Sequence, residues 1–593
     1  MDSTPVTPVL DNVDAIIILG FLVLVTAVGY FMSGTASEDV EEYFIGKNSI
    51  PWWVLGISTA TSNFDMTGTM VIVAMVYDFG YRGFLVELRG GVGLSLAFLM
   101  VFLGKWLRRS RVMTSAQWMK IRFGTDKAGK TAHILSALAQ CILSLGMIAY
   151  FCVGAGKFLE FFLPWDKNVC TAIMVAVGLF YTLMSGIYGV VFTDVIQMII
   201  LSFTAIFIAV KGFMVFDPKY VPASWSDLSL TMPKGQEMLQ SLGKALDAPN
   251  IAEITFNVFG VCVLFYVFRV CLEGCSGVGG YTDQRFFAAR NEREAGLLTL
   301  ESILIAVLRW AFVGGLVALA YHLVASDAAI YKTAVQGINA DSEKILPIII
   351  QTLIPVGLKG FVIAGLIAAA MSTFDSTLNA GASYMVVDIY HSYMNPKASK
   401  DTLVWASWVA TTALAVSGVL IASVLPNIND IWSFITMAIG PAMFIPLFLR
   451  WYWPRFNGYG FAIGTGVGMV VAITLKFTSS WPLYVTFPTI LGASLVGCII
   501  GSYATDPVDE EILLDFWVMV NPQGFWGKYA KLAVKEGRIT RTQRFKRHIE
   551  QLNEIIATCL AVPFNLAVLL AALAFIFHDW QKFFTFGIIA LFC

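Results

Sequence analysis

The sequence predicts an all-α polytopic membrane protein with about fourteen transmembrane helices. Two observations carry that prediction. Of the 593 residues, 57% are hydrophobic and only 13% are charged, with a mean hydropathy of +0.73. Apolar runs long enough to cross a bilayer recur from residue 12 almost to the C-terminus, and no alternating barrel pattern replaces them. A third observation points to function. The stretch Ala364–Asp388 lies within an apolar run yet carries Ser372, Thr373, Asp375, Ser376, Asn379 and Ser383.

The first span covers about 15–31, and the acidic N-terminus before it lacks the basic start of a cleavable signal peptide. Pro51-Trp52-Trp53 is an interfacial anchor. The second span, about 52–78, is too polar in its middle, Ser58-Thr-Ala-Thr-Ser-Asn-Phe-Asp-Met-Thr-Gly68, for a plain lipid-facing helix. We read it as a broken helix whose freed backbone groups line a cavity. The third span, about 82–104, has Glu87 and Arg89 near its start. Lys105, Arg108, Arg109, Arg111, Lys120 and Arg122 follow with no acid between them, which places that loop in the cytoplasm and the N-terminus outside.

Spans at about 130–162, 168–186 and 190–215 come next, with a turn over Gly186–Asp194 that puts Asp194 near a helix start. Residues 216–250 form an extracellular loop. The span at about 251–281 holds Arg269 and Glu273 and then Gly274-Cys-Ser-Gly-Val-Gly-Gly280, four glycines in seven residues, so a continuous helix is not expected there. The loop 285–293 carries three arginines and returns to the cytoplasm, before a span at about 297–325 with Glu301 and Arg309. The polar-studded element follows at about 346–388. Later spans lie at about 402–424, 428–450, 459–477, 483–503 and 555–577, with a basic cytoplasmic helical loop over 504–555. The last apolar piece, 583–593, is too short to cross alone.

The second and seventh spans are the broken ones. If the first span is peripheral, they open two successive five-helix units, over 51–215 and 251–455. Residues 1–50 hold the first helix and a cytoplasmic loop, 456–503 two peripheral helices, and 556–593 the C-terminal helix. Matching breaks in two halves are the mark of a five-plus-five inverted-repeat core with broken first and sixth core helices.

At about 100° per residue, Ser372, Asp375, Ser376, Asn379 and Ser383 share one helical stripe. Hydroxyl, carbonyl and carboxylate oxygens at bilayer depth suit a hard cation such as sodium, and one helix contact does not need so many. The nine cysteines are scattered, without a His/Cys cluster, and form neither a disulfide framework nor a zinc site. No Ser/His/Asp, HExxH or Cys/His arrangement sits at bilayer depth, which speaks against an enzyme.

At Ala368-Ala-Ala-Met-Ser-Thr-Phe-Asp-Ser376, with Asp388-Ile389 following, the chain resembles the sodium/solute symporter family, which includes sodium–glucose, sodium–proline and sodium–sialic acid cotransporters. Trp52-Trp53, Thr193-Asp194, Gln284-Arg285 and Thr114–Gly124 add to the resemblance, which spans roughly 15–503. It implies alternating access and a principal sodium site between the first and eighth core helices. The ligands implied are the Ala369 carbonyl, the Ser372 and Thr373 hydroxyls, and the Asn63 and Met66 carbonyls, or in a shifted register those of Thr61 and Phe64. A second cation set, present in some members, corresponds to Asp194, Ser372, Asp375 and Ser376. Asp375 stands where that pattern has serine, which strengthens cation binding, brings in a proton or spoils the set.

For the solute, Thr67, Glu87, Glu273, Ser276, Arg309 and Ser433 are the candidates, Ser433 replacing a family glutamine. Arg269 and Glu273 are expected to neutralise one another at i, i+4. An arginine left over in the cavity would favour a carboxylate, so a sugar is not singled out. The reading is therefore a sodium-coupled symporter of a small organic solute in the plasma membrane, sufficient as a monomer, with sodium, solute and lipid bilayer as partners and no nucleic acid. Its rivals are a proton-coupled symporter of the same fold, with Asp375 or Asp194 as carrier, and a membrane ligand sensor.

Overall fold

A computed structural model of the chain describes residues 10–36, 40–88, 93–228, 256–277, 282–326, 328–424, 428–479, 481 and 483–593. Among them every regular element is helical. Eight helices are long and apolar enough to cross a membrane, and four shorter apolar helices accompany them. Arg89 lies outside the described residues.

The principal helices follow one another in chain order. α1 is Asn12–Ala36, α2 Trp52–Asn63, α3 Met66–Phe79, α4 Tyr81–Glu87, α5 Lys127–Glu160 and α6 Lys167–Val215. α7 is Phe256–Ser276, α8 Asp283–Ala288, α9 Glu292–Ala325, α10 Leu358–Ser383, α11 Lys400–Val424 and α12 Ile428–Phe434. α13 is Gly440–Tyr452, α14 Gly458–Thr478, α15 Leu483–Ala504, α16 Glu510–Val520, α17 Gly527–Lys535, α18 Arg541–Ile576 and α19 Trp580–Phe592. Short polar side chains start several of them by accepting orphan N–H groups. Asp126 caps α5 through Gly129 N at 2.8 Å, Asn291 caps α9 through Glu294 N at 2.9 Å, and Thr540 with Gln543 forms a capping box on α18.

α10 is the centre of the molecule. α10 runs on into the π-helical segment Tyr384–Met394, and 94% of the most apolar stretch of this continuous helix is buried, against 39% for α11, α14 and α15. A helix surrounded by protein on all sides can hold polar residues that lipid would reject. Glycine lets its neighbours approach. A Cβ on Gly212 of α6 would fall 2.5 Å from the Cα of Gly315 on α9, so those two helices meet backbone to backbone.

Two expectations about the elements need correction. The turn expected over Gly186–Asp194 is helical. The spans expected at 168–186 and 190–215 belong to α6, one helix of 49 residues. No proline interrupts it, and backbone hydrogen bonds carry it through the glycines. Asp194 therefore lies inside a helix rather than at its start. The expected third span, 82–104, is not one helix either. α4 ends at Glu87, and helical backbone resumes at Ser95 and passes into a π-helix over Leu99–Leu103.

The basic loop after Leu103 and the segment 504–555 meet on one face. Lys105 Nζ is 2.7 Å from Glu550 Oε1 and also pairs with Glu554, and Arg109 Nη1 donates to the Val520 carbonyl at 2.8 Å. Arg122, on the short helix Trp118–Phe123, donates to the carbonyls of Arg450 at 2.7 Å, Trp453 at 3.0 Å and Phe456 at 3.2 Å. Its guanidinium sits over the rings of Trp526 and Phe516. Burial pushes that guanidinium down to about 9, and it stays charged at neutral pH.

Candidate functional site

The break between α2 and α3 leaves Phe64 and Asp65 outside helical geometry. Asp65 starts α3. Its carboxylate accepts from Thr67 N at 3.0 Å and Gly68 N at 2.7 Å, and Tyr150 of α5 donates to it at 2.9 Å. Arg309 of α9 is within electrostatic reach of it. The acid in the broken span is thus engaged in holding the second half-helix.

α10 faces the end of α2. Thr373 Oγ1 lies 2.9 Å from the Ser62 carbonyl and 3.2 Å from the Ala369 carbonyl. Ser62 Oγ is 3.1 Å from Ser372 Oγ and 3.1 Å from Ser376 Oγ. Ala369, Ser372 and Thr373 therefore converge on the last turn of α2, and all are buried. The α2 carbonyl beside Thr373 is that of Ser62, between Thr61 of one expected register and Asn63 of the other. Asn63 lines the cavity described below, and Met66 is buried in the first turn of α3. Sequence reasoning missed Ser62, whose hydroxyl and carbonyl both face α10.

A second cluster adjoins the first. Asp194 of α6 accepts a hydrogen bond from Ser58 of α2. Arg285 of α8 reaches in from the other side, with Nε 2.8 Å from Ser58 Oγ and Nη2 2.7 Å from Ser62 Oγ, 2.7 Å from Ser376 Oγ and 3.4 Å from Asp194 Oδ2. Asp375 points elsewhere, its Oδ1 2.9 Å from Thr182 Oγ1 on α6. Ser58 and Arg285 were also missed as site residues. Arg285 reads in the sequence as one more positive charge of a cytoplasmic loop.

The first cluster borders a cavity of about 250 Å³, whereas Ser58, Asp194, Arg285 and Ser376 do not line it. Ser62, Asn63 and Thr373 line it, and so do Glu87, Glu273 and Arg309 of the expected solute set. Arg269 Nη1 and Glu273 Oε2 are 2.8 Å apart, the expected i, i+4 pair, and Arg269 Nε donates to the Thr436 carbonyl at 3.1 Å. Trp432 also lines the cavity and packs at a ring distance of 5.0 Å on Tyr150. Thr67 and Ser276 do not line it. Thr67 packs against Gly154 of α5, and Ser276 donates to the Glu273 carbonyl at 3.1 Å. The side chain of Ser433 lies outside the described residues.

A broken helix against a central helix, with buried oxygens between them and a cavity beside them, defines a helical membrane transporter. The model of the sodium:solute symporter family matches residues 43–468, and the chain belongs to that family. The sodium/glucose cotransporter of Vibrio parahaemolyticus is 26% identical over 492 residues, covering 79% of this chain and 86% of that protein. The human sodium/myo-inositol cotransporter is 22% identical over 591 residues, covering 91% of this chain and 78% of that protein. Among solved structures, a Na+-coupled sialic acid symporter in a substrate-bound outward-open state shares the fold, with a TM-score of 0.64 at 20% identity over 84% of this chain and 99% of that one. The chain is accordingly a transporter and not an enzyme.

Proposed function

We propose that this chain couples the inward movement of sodium to the uptake of a small organic solute by alternating access, through a five-plus-five inverted-repeat core in the plasma membrane. The observation that carries this reading is the contact of Thr373 and Ser372 with the last turn of α2, directly beside the cavity. Sodium bound by the hydroxyls of Ser372 and Thr373, the Ala369 carbonyl and carbonyls from the α2–α3 break would tie α2 to α10 and complete one wall of the solute site. In this reading Asn63 and Met66 belong to the break that supplies those carbonyls, and one chain suffices. Inward movement of the ion also gains about 2.3 kcal/mol per 100 mV of membrane potential. Coupling requires sodium to bind the outward-open state more tightly, since equal affinity shifts nothing.

The solute is a sugar, polyol, amino acid or carboxylate. The cavity presents both signs, Asp65, Glu87 and Glu273 facing Arg269 and Arg309, which suits a solute with several polar groups. The test is uptake of such a panel into proteoliposomes under an inward sodium gradient. Accumulation of one class driven by sodium is the expected result. Accumulation driven by a proton gradient and indifferent to sodium would overturn the ion assignment.

A further inference from the structure

The polar cluster around Asp194 already contains a cation. The Nη2 atom of Arg285 stands among Ser62 Oγ at 2.7 Å, Ser376 Oγ at 2.7 Å and Asp194 Oδ2 at 3.4 Å, and Nε meets Ser58 Oγ at 2.8 Å. The hydroxyls are oriented for it. Ser58 gives its one hydrogen to Asp194, so a lone pair is left to accept from Nε. Ser62 donates to the Ser58 carbonyl at 2.9 Å, so its oxygen too accepts from the guanidinium. Ser372 lies 3.1 Å from Ser62 and its side chain also reaches Asp194. A metal ion bridging Asp194 Oδ2 and Ser376 Oγ would have to stand where Nη2 stands, against a like charge in a buried space.

The arginine is held there from below. Its neighbour Gln284 donates to Ser383 Oγ at 3.3 Å and accepts from Asn379 Nδ2 at 3.1 Å, which pins α8 beneath α10. Phe286 and Phe287 of α8 are buried, and Arg285 itself is 3% exposed. Asp375, the remaining member of the second cation set, accepts from Thr182 through Oδ1.

We propose that the guanidinium of Arg285 takes the place of a second sodium ion at Asp194, so that this chain binds one sodium ion and carries its second positive charge on the protein. The inference rests on the sodium-symport reading. Its test is equilibrium binding of radioactive sodium to the purified full chain in detergent, with folding checked by thermal unfolding. Wild type is expected to saturate at one ion per chain. Arg285→Gln is expected to gain a second ion, Arg285→Lys to stay at one, and Arg285→Gln combined with Asp194→Asn to return to one. Two ions on wild type, or a folded Arg285→Gln that stays at one, overturns the inference while leaving symport intact. No sodium on wild type overturns both. If Arg285→Gln does not fold, the wild-type count still decides between one and two.

Discussion

At the residue scale the site is a matter of which oxygen faces which hydrogen. Ser372 and Thr373 are the two hydroxyls proposed to reach sodium, and each carries a fraction of that binding. Replacing either by alanine removes one oxygen from the ion and is expected to raise the sodium concentration for half-maximal uptake by roughly 5- to 30-fold, the effect of about 1–2 kcal/mol. An unchanged sodium dependence in both variants would remove them from the site. The polar stripe on α10 was legible because polar side chains set in an apolar run must face protein or an ion rather than lipid. The partners of that stripe were not. Arg285 lies 91 positions from Ser376 in the chain, and nothing local distinguishes an arginine that enters a core from one that faces the cytoplasm. Asp375 and Asp194 were both candidates for the second cation set, yet one meets a threonine and the other a guanidinium.

At the element scale, glycine decides how closely the helices lie. A Cβ on Gly315 would fall 2.6 Å from the Ile208 carbonyl and 2.8 Å from the Ala209 Cα, both backbone atoms that cannot swing aside. Gly315→Val is expected to cost about 1–3 kcal/mol by overpacking and to lower the thermal unfolding midpoint of the purified chain. Gly20→Ala, where no atom lies within 4 Å, serves as the control and should not lower the midpoint. A Gly315→Val midpoint equal to wild type would mean that α6 and α9 are free to separate. The break in the second span was legible from its run of hydroxyls and its Asp65, which has no reason to sit in a lipid-facing helix. The continuity of α6 was not. A glycine between two apolar segments reads equally as a turn or as a weak point in a packed helix, and tertiary contacts choose between them.

At the scale of the whole molecule, the two basic stretches share one face. Lys105 pairs with Glu550 and Arg122 reaches Trp526, so the loop after Leu103 and the segment 504–555 lie on the same side. The excess of Lys and Arg there predicts that this side is cytoplasmic. With Cys559 and Cys593 replaced by serine, an impermeant maleimide added to intact cells is expected to spare Lys531→Cys, an exposed position on α17, and to label it after permeabilisation. Labelling without permeabilisation would reverse the orientation. The ion pairs and ring contacts that join these stretches also bear on how the molecule can be cut. A shortened form ending after Thr505 would uncover Trp451 and Trp118, strand Lys105 and Arg109 without Glu550, and take away two of the rings that cover Arg122. The segment after Thr505 is a keel rather than a trailing rope.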